Sequence, residues 1–407
     1  MSFGRIGAMM NSYAPIKDIP QITCSDDPSQ QCQTRVHIIR SFFAMTFLCA
    51  AVSVKPNMGD AGERQWRHIF RQVKLAFWAA IVPELILLWA LKQYVGARSL
   101  QQEFSRQRWT MAHGHFMQMG GFTLYGTDHK PIGVLSSVQF RKLLLSGQIH
   151  FPEITEDDIW DRSKNNTPIK LFSLCQMTWF MVQIFERGRR GLLMTPFDIL
   201  GLSSVVASAL LFRLWWDKPL NVRCSVPVHL LDENDSDHAD YMPKLKKINT
   251  AALPFSKEKL IREFGTKLEP GCMRVPTYYF VNTADARGLD DIFPRVRLPL
   301  SCIATALLGI IYCSSVFFNI LEFPTWIEDM LWKGCMMVVV TAICVLLVEM
   351  SGIYTYHNLR KSILARRFLK SYLVARSLML VLAFLSLRSL PVRALTTVKW
   401  VSNIPHV

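Results

Sequence analysis

Gly334–Tyr356 reads GCMMVVVTAICVLLVEMSGIYTY and holds one charged side chain, Glu349. A bilayer core about 30 Å thick is crossed by about 20 apolar residues of helix. The run is continuous rather than alternating, which favours a helix over a barrel strand. Backbone groups in hydrocarbon must bond within their own segment, and a helix does this without a partner. This stretch therefore predicts a membrane-spanning helix.

Working outward, Leu298–Ile320, Tyr372–Leu390, Phe197–Trp216 and Val73–Leu91 are apolar blocks of comparable length. His37–Val54 and Leu171–Phe185 are shorter and weaker. Together they predict an all-α, polytopic membrane bundle of about five to eight transmembrane helices. The expected organisation is a polar tail over residues 1–36 and a first membrane half over 37–216, which contains a semi-apolar loop, 92–170. A hydrophilic, cytoplasmic loop over 217–297 and a second membrane half over 298–407, with three helices and a short tail, complete it.

The chain has 407 residues, half of them apolar, and a net charge of +15. In a membrane protein that excess is read as basic loops held beside anionic cytoplasmic lipid rather than as a nucleic-acid surface. Met1–Thr34 lacks the basic-then-apolar order of a signal peptide, so the first span is expected to act as an internal insertion signal. Loop 357–371, with Arg360, Lys361, Arg366, Arg367 and Lys370, is assigned to the cytoplasm; loop 321–333, with Glu322, Glu328 and Asp329, faces the other way. This places Arg187, Arg189 and Arg190 on the non-cytoplasmic side, against the charge rule. None of the ten cysteines shows zinc-site spacing.

An ionisable group inside a span costs about 2.5–3.5 kcal/mol on insertion scales, so it marks either a partner or a role. Glu84 follows Pro83 in the middle of Val73–Leu91. The proline removes a helical hydrogen bond and burial favours a protonated carboxyl, which suits a general acid toward an alkene or epoxide; the alternative is a glutamate bonded to a neighbouring helix. Asp198 lies in a first helical turn, where capping competes with chemistry. Arg376, one turn inside the last block, reaches headgroups or pairs with Glu349.

The segment Trp109–Phe122 is dense in aromatic, methionine and glycine residues and holds two histidines. On a helix His113 and His115 lie about 200° apart and would not share a metal. The segment is read as a site lip or as a surface helix packed on the spans. Asp157, Asp158 and Asp161 form an Asp-Asp-x-x-Asp string, which either holds Mg²⁺ against a diphosphate or begins a capped, solvated helix. No Walker loop, GxSxG elbow, HExxH, dinucleotide fingerprint or haem-attachment pattern is present.

Several stretches resemble a large family of fungal multi-pass membrane proteins. They are Pro83-Glu84-Leu85 with Leu88-Trp89-Ala90, Trp109 through Phe122, Ile159 through Lys164, Gln176 through Phe180 with Gln183, Trp215-Trp216-Asp217-Lys218-Pro219, and Leu387 through Pro391 with Trp400 and Pro405-His406. The chain departs from that pattern at Leu382, where an acidic residue is expected, and at His113-Gly114-His115. It also resembles, more distantly, the membrane-bound terpene cyclases of fungal meroterpenoid pathways, such as those making ascofuranone and macrophorin.

That resemblance implies a membrane-embedded cyclase or isomerase of secondary metabolism, in the endoplasmic reticulum or another endomembrane, acting on a farnesylated or epoxyfarnesylated substrate by protonation. Read from the residues themselves, Glu84, His113 and Asp198 are the candidate catalytic residues. Trp109, His115, Phe116, Trp179 and Phe180 are candidates for binding substrate, the aromatic faces steadying cations. No cofactor is expected, except Mg²⁺ if a diphosphate is used. The expected partners are the bilayer, a small prenylated substrate and pathway enzymes, not nucleic acid. The competing expectation is a transporter or non-catalytic membrane protein of a fungal biosynthetic cluster.

Overall fold

A computed structural model describes residues 33–59, 63–163, 167–231, 272–279, 306–314, 321–350 and 358–396, without the side chains of 167, 346–350, 358–366 and 392–393. The acidic run 232–237, Asp285, Asp290, Asp291, the side chain of Glu349 and Trp400 lie outside that description, as does most of the block Leu298–Ile320.

The described chain is mostly helical. α1 (Arg35–Ser53) begins at Thr34, whose hydroxyl accepts from the His37 amide at 3.2 Å. α2 (Gln65–Ile81) and α3 (Pro83–Glu103) follow, then α4 (Met111–Gln118), α5 (Ser137–Leu145), α6 (Glu156–Asp161), α7 (Thr167–Arg189) and α8 (Pro196–Leu214). After helical residues 306–314 come α9 (Trp326–Met350), α10 (Asn358–Ser386) and the short α11 (Val392–Leu395). The all-α expectation is corrected in one respect. A three-stranded sheet, ordered β2-β1-β3, is built from β1 (Phe122–Tyr125), antiparallel β2 (Pro131–Val134) and parallel β3 (Val226–His229). These strands are only four residues long and fall inside loops, so they leave no period-2 signal to read.

Among the described residues two large hydrophobic cores stand beside a small cluster of Cys49, Met177, Val205 and Phe212 between α1, α7 and α8. The first joins α1, α2, α3 and α8 to residues 308–312, α9 and α10. The second, capping one end, gathers Phe104, Trp109, Phe116, Phe122 and Phe140 with the sheet. Trp109 stacks on Phe122 and Phe140 at 5.9 and 5.6 Å between ring centroids.

Among the described residues three helices are long and apolar enough to cross a membrane: Arg35–Ser53, Pro196–Leu214 and Arg367–Ser389, with a fourth if the bent pair α2–α3 is taken as one span. This is fewer than the five to eight expected. The block Val73–Leu91 is not one straight helix. It breaks at Val82, and α2 and α3 diverge by 116°. The Pro83 ring has no amide to continue the ladder, and Val82 leaves helical geometry at φ −131°, ψ 60°. Leu171–Phe185 lies in α7, whose ends carry Lys170, Glu186, Arg187 and Arg189. His37–Val54, the weaker block, is among the three that qualify.

The bent pair enters and leaves at one end of the bundle. Asn57, which precedes α2, accepts at Oδ1 from Gln93 Nε2 of α3 at 3.1 Å. The apex Val82-Pro83-Glu84 is buried in protein, the setting in which a broken backbone is tolerated at membrane depth.

Candidate functional site

Three polar constellations lie within this frame. The first is at the apex. Tyr372 donates to Glu84 Oε2 at 2.6 Å and Tyr312 donates to Oε1. Arg376 Nη1 donates to the Tyr312 oxygen at 2.8 Å and lies 3.6 Å from Glu84 Oε1. The break explains a fifth contact. Leu85 N bonds to Val82 O, which leaves the Ile81 carbonyl free, and Arg376 Nε donates to it at 3.1 Å. Arg376 therefore faces inward, buried, rather than reaching headgroups. Both oxygens of Glu84 accept, and the residue is 1 % exposed. Leu382, where the resemblance expected an acid, is buried in the apolar core.

The second constellation is a mutual clasp of two lysines at the capped end. Lys55 Nζ donates to the carbonyls of Trp215 (2.5 Å), Lys218 (2.6 Å) and Trp216 (3.3 Å). An ammonium thus covers the open carbonyls at the C-terminus of α8. Lys218 Nζ returns to Lys55 O (2.6 Å), Gln93 Oε1 (2.9 Å) and Asn57 Oδ1 (3.1 Å), over the rings of Trp215 and Trp89 at 4.7 and 5.1 Å. All six ammonium donors have acceptors. Burial, then the charge of Lys170, pulls Lys55 down to about 7 against the opposing pull of Asp217, and burial holds Lys218 well below the usual lysine range. Lys55 and Lys218 are both buried and bonded to α3 and to the ends of α1 and α8, so the pair is a fastening of α1, α3 and α8.

The third constellation is a cavity of about 250 Å³ between α1, α7 and α8. Its walls include Ile38, Phe42, Met45, Leu48, Phe172, Phe180, Ile184 and Phe197, with Trp179, Gln176, Gln183, Arg187 and Asp198 adding polar atoms. Gly201 lets the Phe180 ring approach α8 closely: a Cβ there would stand 2.9 Å from Phe180 Cζ. Ala44 and Phe172 are exposed, so the cavity opens on the outer, apolar flank of the bundle. Arg187 is buried and spends three of its five donors on the carbonyls of Leu193 (2.6 Å), Ala394 (2.9 Å) and Thr396 (3.0 Å); its Nε has no partner among the described residues. Arg189 and Arg190 both pair with Glu186, at 2.6 and 2.7 Å. Of the three arginines that conflict with the charge rule, Arg187 is thus buried and Arg189 and Arg190 share one carboxylate.

The candidate residues are thus dispersed. Asp198, Trp179 and Phe180 share the cavity. Glu84 is in the apex network. His113 is the N3 residue of a capping box: its Nδ1 accepts from the Thr110 amide at 3.1 Å, so Nε2 carries the proton toward Ile154 O at 2.9 Å. Trp109 and Phe116 lie in the second core. His115 is 1 % exposed, neither ring nitrogen has a partner among the described residues, and burial beside Lys218 and Lys55 holds it neutral, well below the usual histidine range. Asp158 closes a capping box with Thr155 at 2.7 and 2.9 Å, and those bonds lower its pKa. Among the described residues no group of three metal-ligating side chains occurs, and Asp157 and Asp161 stay exposed on a six-residue helix.

Sequence reasoning missed Tyr312, Tyr372, Lys55, Asn57, Gln93 and the clasp role of Lys218. Lys218 did have a signal, a lysine directly after paired tryptophans at a helix end. The tyrosines had none, since a tyrosine in an apolar block is ordinary.

Residues 16–250, more than half of the chain, match a family of unknown function, DUF8562, and the chain belongs to that family. No curated protein and no solved structure matches it.

Proposed function

We propose that this DUF8562 protein is a membrane-embedded isomerase or cyclase that draws a slim lipophilic chain, of farnesylated type, from the bilayer into the α1–α7–α8 cavity. The observation behind this reading is a carboxylate beside aromatic rings in an apolar cavity that opens on the bundle's flank. At about 250 Å³ the cavity is below the roughly 300–1,000 Å³ of pockets for drug-sized ligands, which suits a narrow chain.

Asp198 is the proton carrier in this reading. Its Oδ2 accepts from the Thr195 amide (2.7 Å) and hydroxyl (3.0 Å), while Oδ1 makes no hydrogen bond among the described residues. A proton passes from Oδ1 to an alkene carbon or epoxide oxygen of the substrate. Ring closure then forms a carbon–carbon bond, and loss of a proton from the carbon next to the final cation returns one to solvent or to the carboxylate. Trp179 and Phe180 offer ring faces to the cation, and closing off water keeps it from being quenched. Glu84, with both oxygens engaged, serves the fold in this scheme.

The alternative of a carrier or other non-catalytic binding protein draws on one observation. Asp198 already has a structural post in the capping box that starts α8. The test separates the two. Membranes containing the full chain are supplied with farnesyl diphosphate, a farnesylated phenol and its terminal epoxide, each with and without EDTA, and products are followed by mass spectrometry. An EDTA-insensitive cyclised product, lost in D198N and in the cavity-filling A44W but retained in E84Q, is the expected result. Bound but unchanged substrate supports the carrier. Product that survives both D198N and A44W overturns the cavity as the site.

A further inference from the structure

One helix bears a surface that nothing among the described residues covers. At about 100° per residue, α2 has three faces. Leu75, Ala76 and Ala79 are buried against the bundle. Trp66, Phe70, Val73 and Phe77 fall within about 60° of one another on a second face. They are exposed, the first three by more than half of their surface. Arg67, Arg71 and Lys74 make a third stripe about 100° from the second, with Arg64 at the N-cap extending it. Arg71 is paired with Glu63 at 2.8 Å. Arg64, Arg67 and Lys74 are exposed and have no acidic partner among the described residues; Arg67 lies 5.4 Å from the ring centroid of Trp66.

A soluble surface rarely exposes four large apolar side chains in line, and a helix immersed in hydrocarbon does not line three unpaired cations along ten residues. An aromatic stripe flanked by a basic one fits the boundary between acyl chains and headgroups. The position agrees. The chain reaches α2 just past the lysine clasp at the end of the α1 span, and α2 turns through 116° before α3.

We propose that α2 is a binding site for anionic phospholipid, with the aromatic stripe among the acyl chains and Arg64, Arg67 and Lys74 on the charged headgroups. The site is separate from the α1–α7–α8 cavity and stands whether or not that cavity is catalytic.

The experiment uses the full chain in detergent micelles, titrated with dansyl-labelled phosphatidylserine or phosphatidylcholine and read by energy transfer from tryptophan. The wild type is expected to prefer phosphatidylserine. Each basic residue near an anionic surface contributes about fivefold, so the R64Q/R67Q/K74Q variant should need on the order of a hundredfold more of it. Equal affinity for the two lipids overturns the proposal, as does unchanged phosphatidylserine affinity in the folded triple variant. Should the variant fail to fold, salt decides on the wild type: the screening length falls from about 10 Å at 0.1 M to about 3 Å at 1 M, so binding must weaken, and salt-independent binding overturns the assignment.

Discussion

At the scale of single residues, the most consequential contacts join charges to groups far away in sequence. Arg376 and Glu84 are both buried, and two tyrosine hydroxyls complete their bonding. Removing one member of such a pair leaves a buried charge unmatched, which costs about 3–5 kcal/mol, whereas replacing both with apolar groups is far milder. R376M and E84L should each lower the unfolding midpoint strongly, and the double variant should lie closer to wild type than either. Thermal unfolding in detergent, treated as a double-mutant cycle, checks this; additive losses would mean the two side chains act independently.

The lysine clasp makes a pH prediction whose sign follows from burial. Lys55 is held near 7 when folded and returns to about 10.5 when unfolded, so between those values the unfolded chain binds the extra proton. Stability from this group should rise as pH rises from about 7 toward 10.5. His115, also depressed, adds the same sign below about 6.5. Lys170, Asp217 and Lys218 face these groups and share in the titration. Unfolding midpoints measured across this range should climb in wild type and climb less steeply in K55M, where Lys218 still contributes with the same sign. K218M strips Asn57, Gln93 and the Lys55 carbonyl of a donor and should cost at least about 2 kcal/mol.

At the scale of elements, the packing of α7 on α8 sets the shape of the cavity. At Gly201 the Phe180 ring occupies the space that a Cβ would need. G201A should displace that ring and strain the contact by about 1–3 kcal/mol, the usual cost of overpacking. Stabilisation by a farnesylated ligand should fall along with it, measured as the shift in unfolding temperature with and without ligand. An undiminished shift would place the ligand elsewhere. The capping boxes at Thr110, Ser136, Thr155 and Thr195 show how local sequence sets element starts. Three of them occupy residues that also looked chemical, His113, Asp158 and Asp198, because polar side chains at a helix start satisfy orphan amides first.

At the scale of the whole molecule, the bent pair determines which end each loop occupies. Asn57 meets Gln93 and Lys55 meets Lys218 at one end, while Gln33 N bonds to Leu395 O and Arg187 holds residues 394–396 at the other. Cysteines placed at 64 and 101 should therefore react with an impermeant reagent from the same side of a sealed vesicle, and one placed at 190 from the opposite side. Labelling of 64 and 101 from opposite sides would show that α2–α3 crosses.

The sequence by itself determined that this chain has helices long and apolar enough for a bilayer, because hydrophobic length is a local property that needs no partner. It also located the break at Pro83 and the capped starts of α6 and α8, which depend on covalent geometry and on neighbours a few residues away. It singled out Glu84, Asp198, Trp179 and Phe180, because a charge or a bulky ring in an apolar run stands out on its own. Only the tertiary structure decided what these residues meet. Glu84 is committed to Tyr312, Tyr372 and Arg376, more than 200 positions away, and Asp198 shares a cavity with Trp179 and Phe180. The pairing of β3 with β1 and the clasp of the two lysines were beyond reach for the same reason. Each is an agreement between segments distant in sequence, and neither segment bears a mark of it alone.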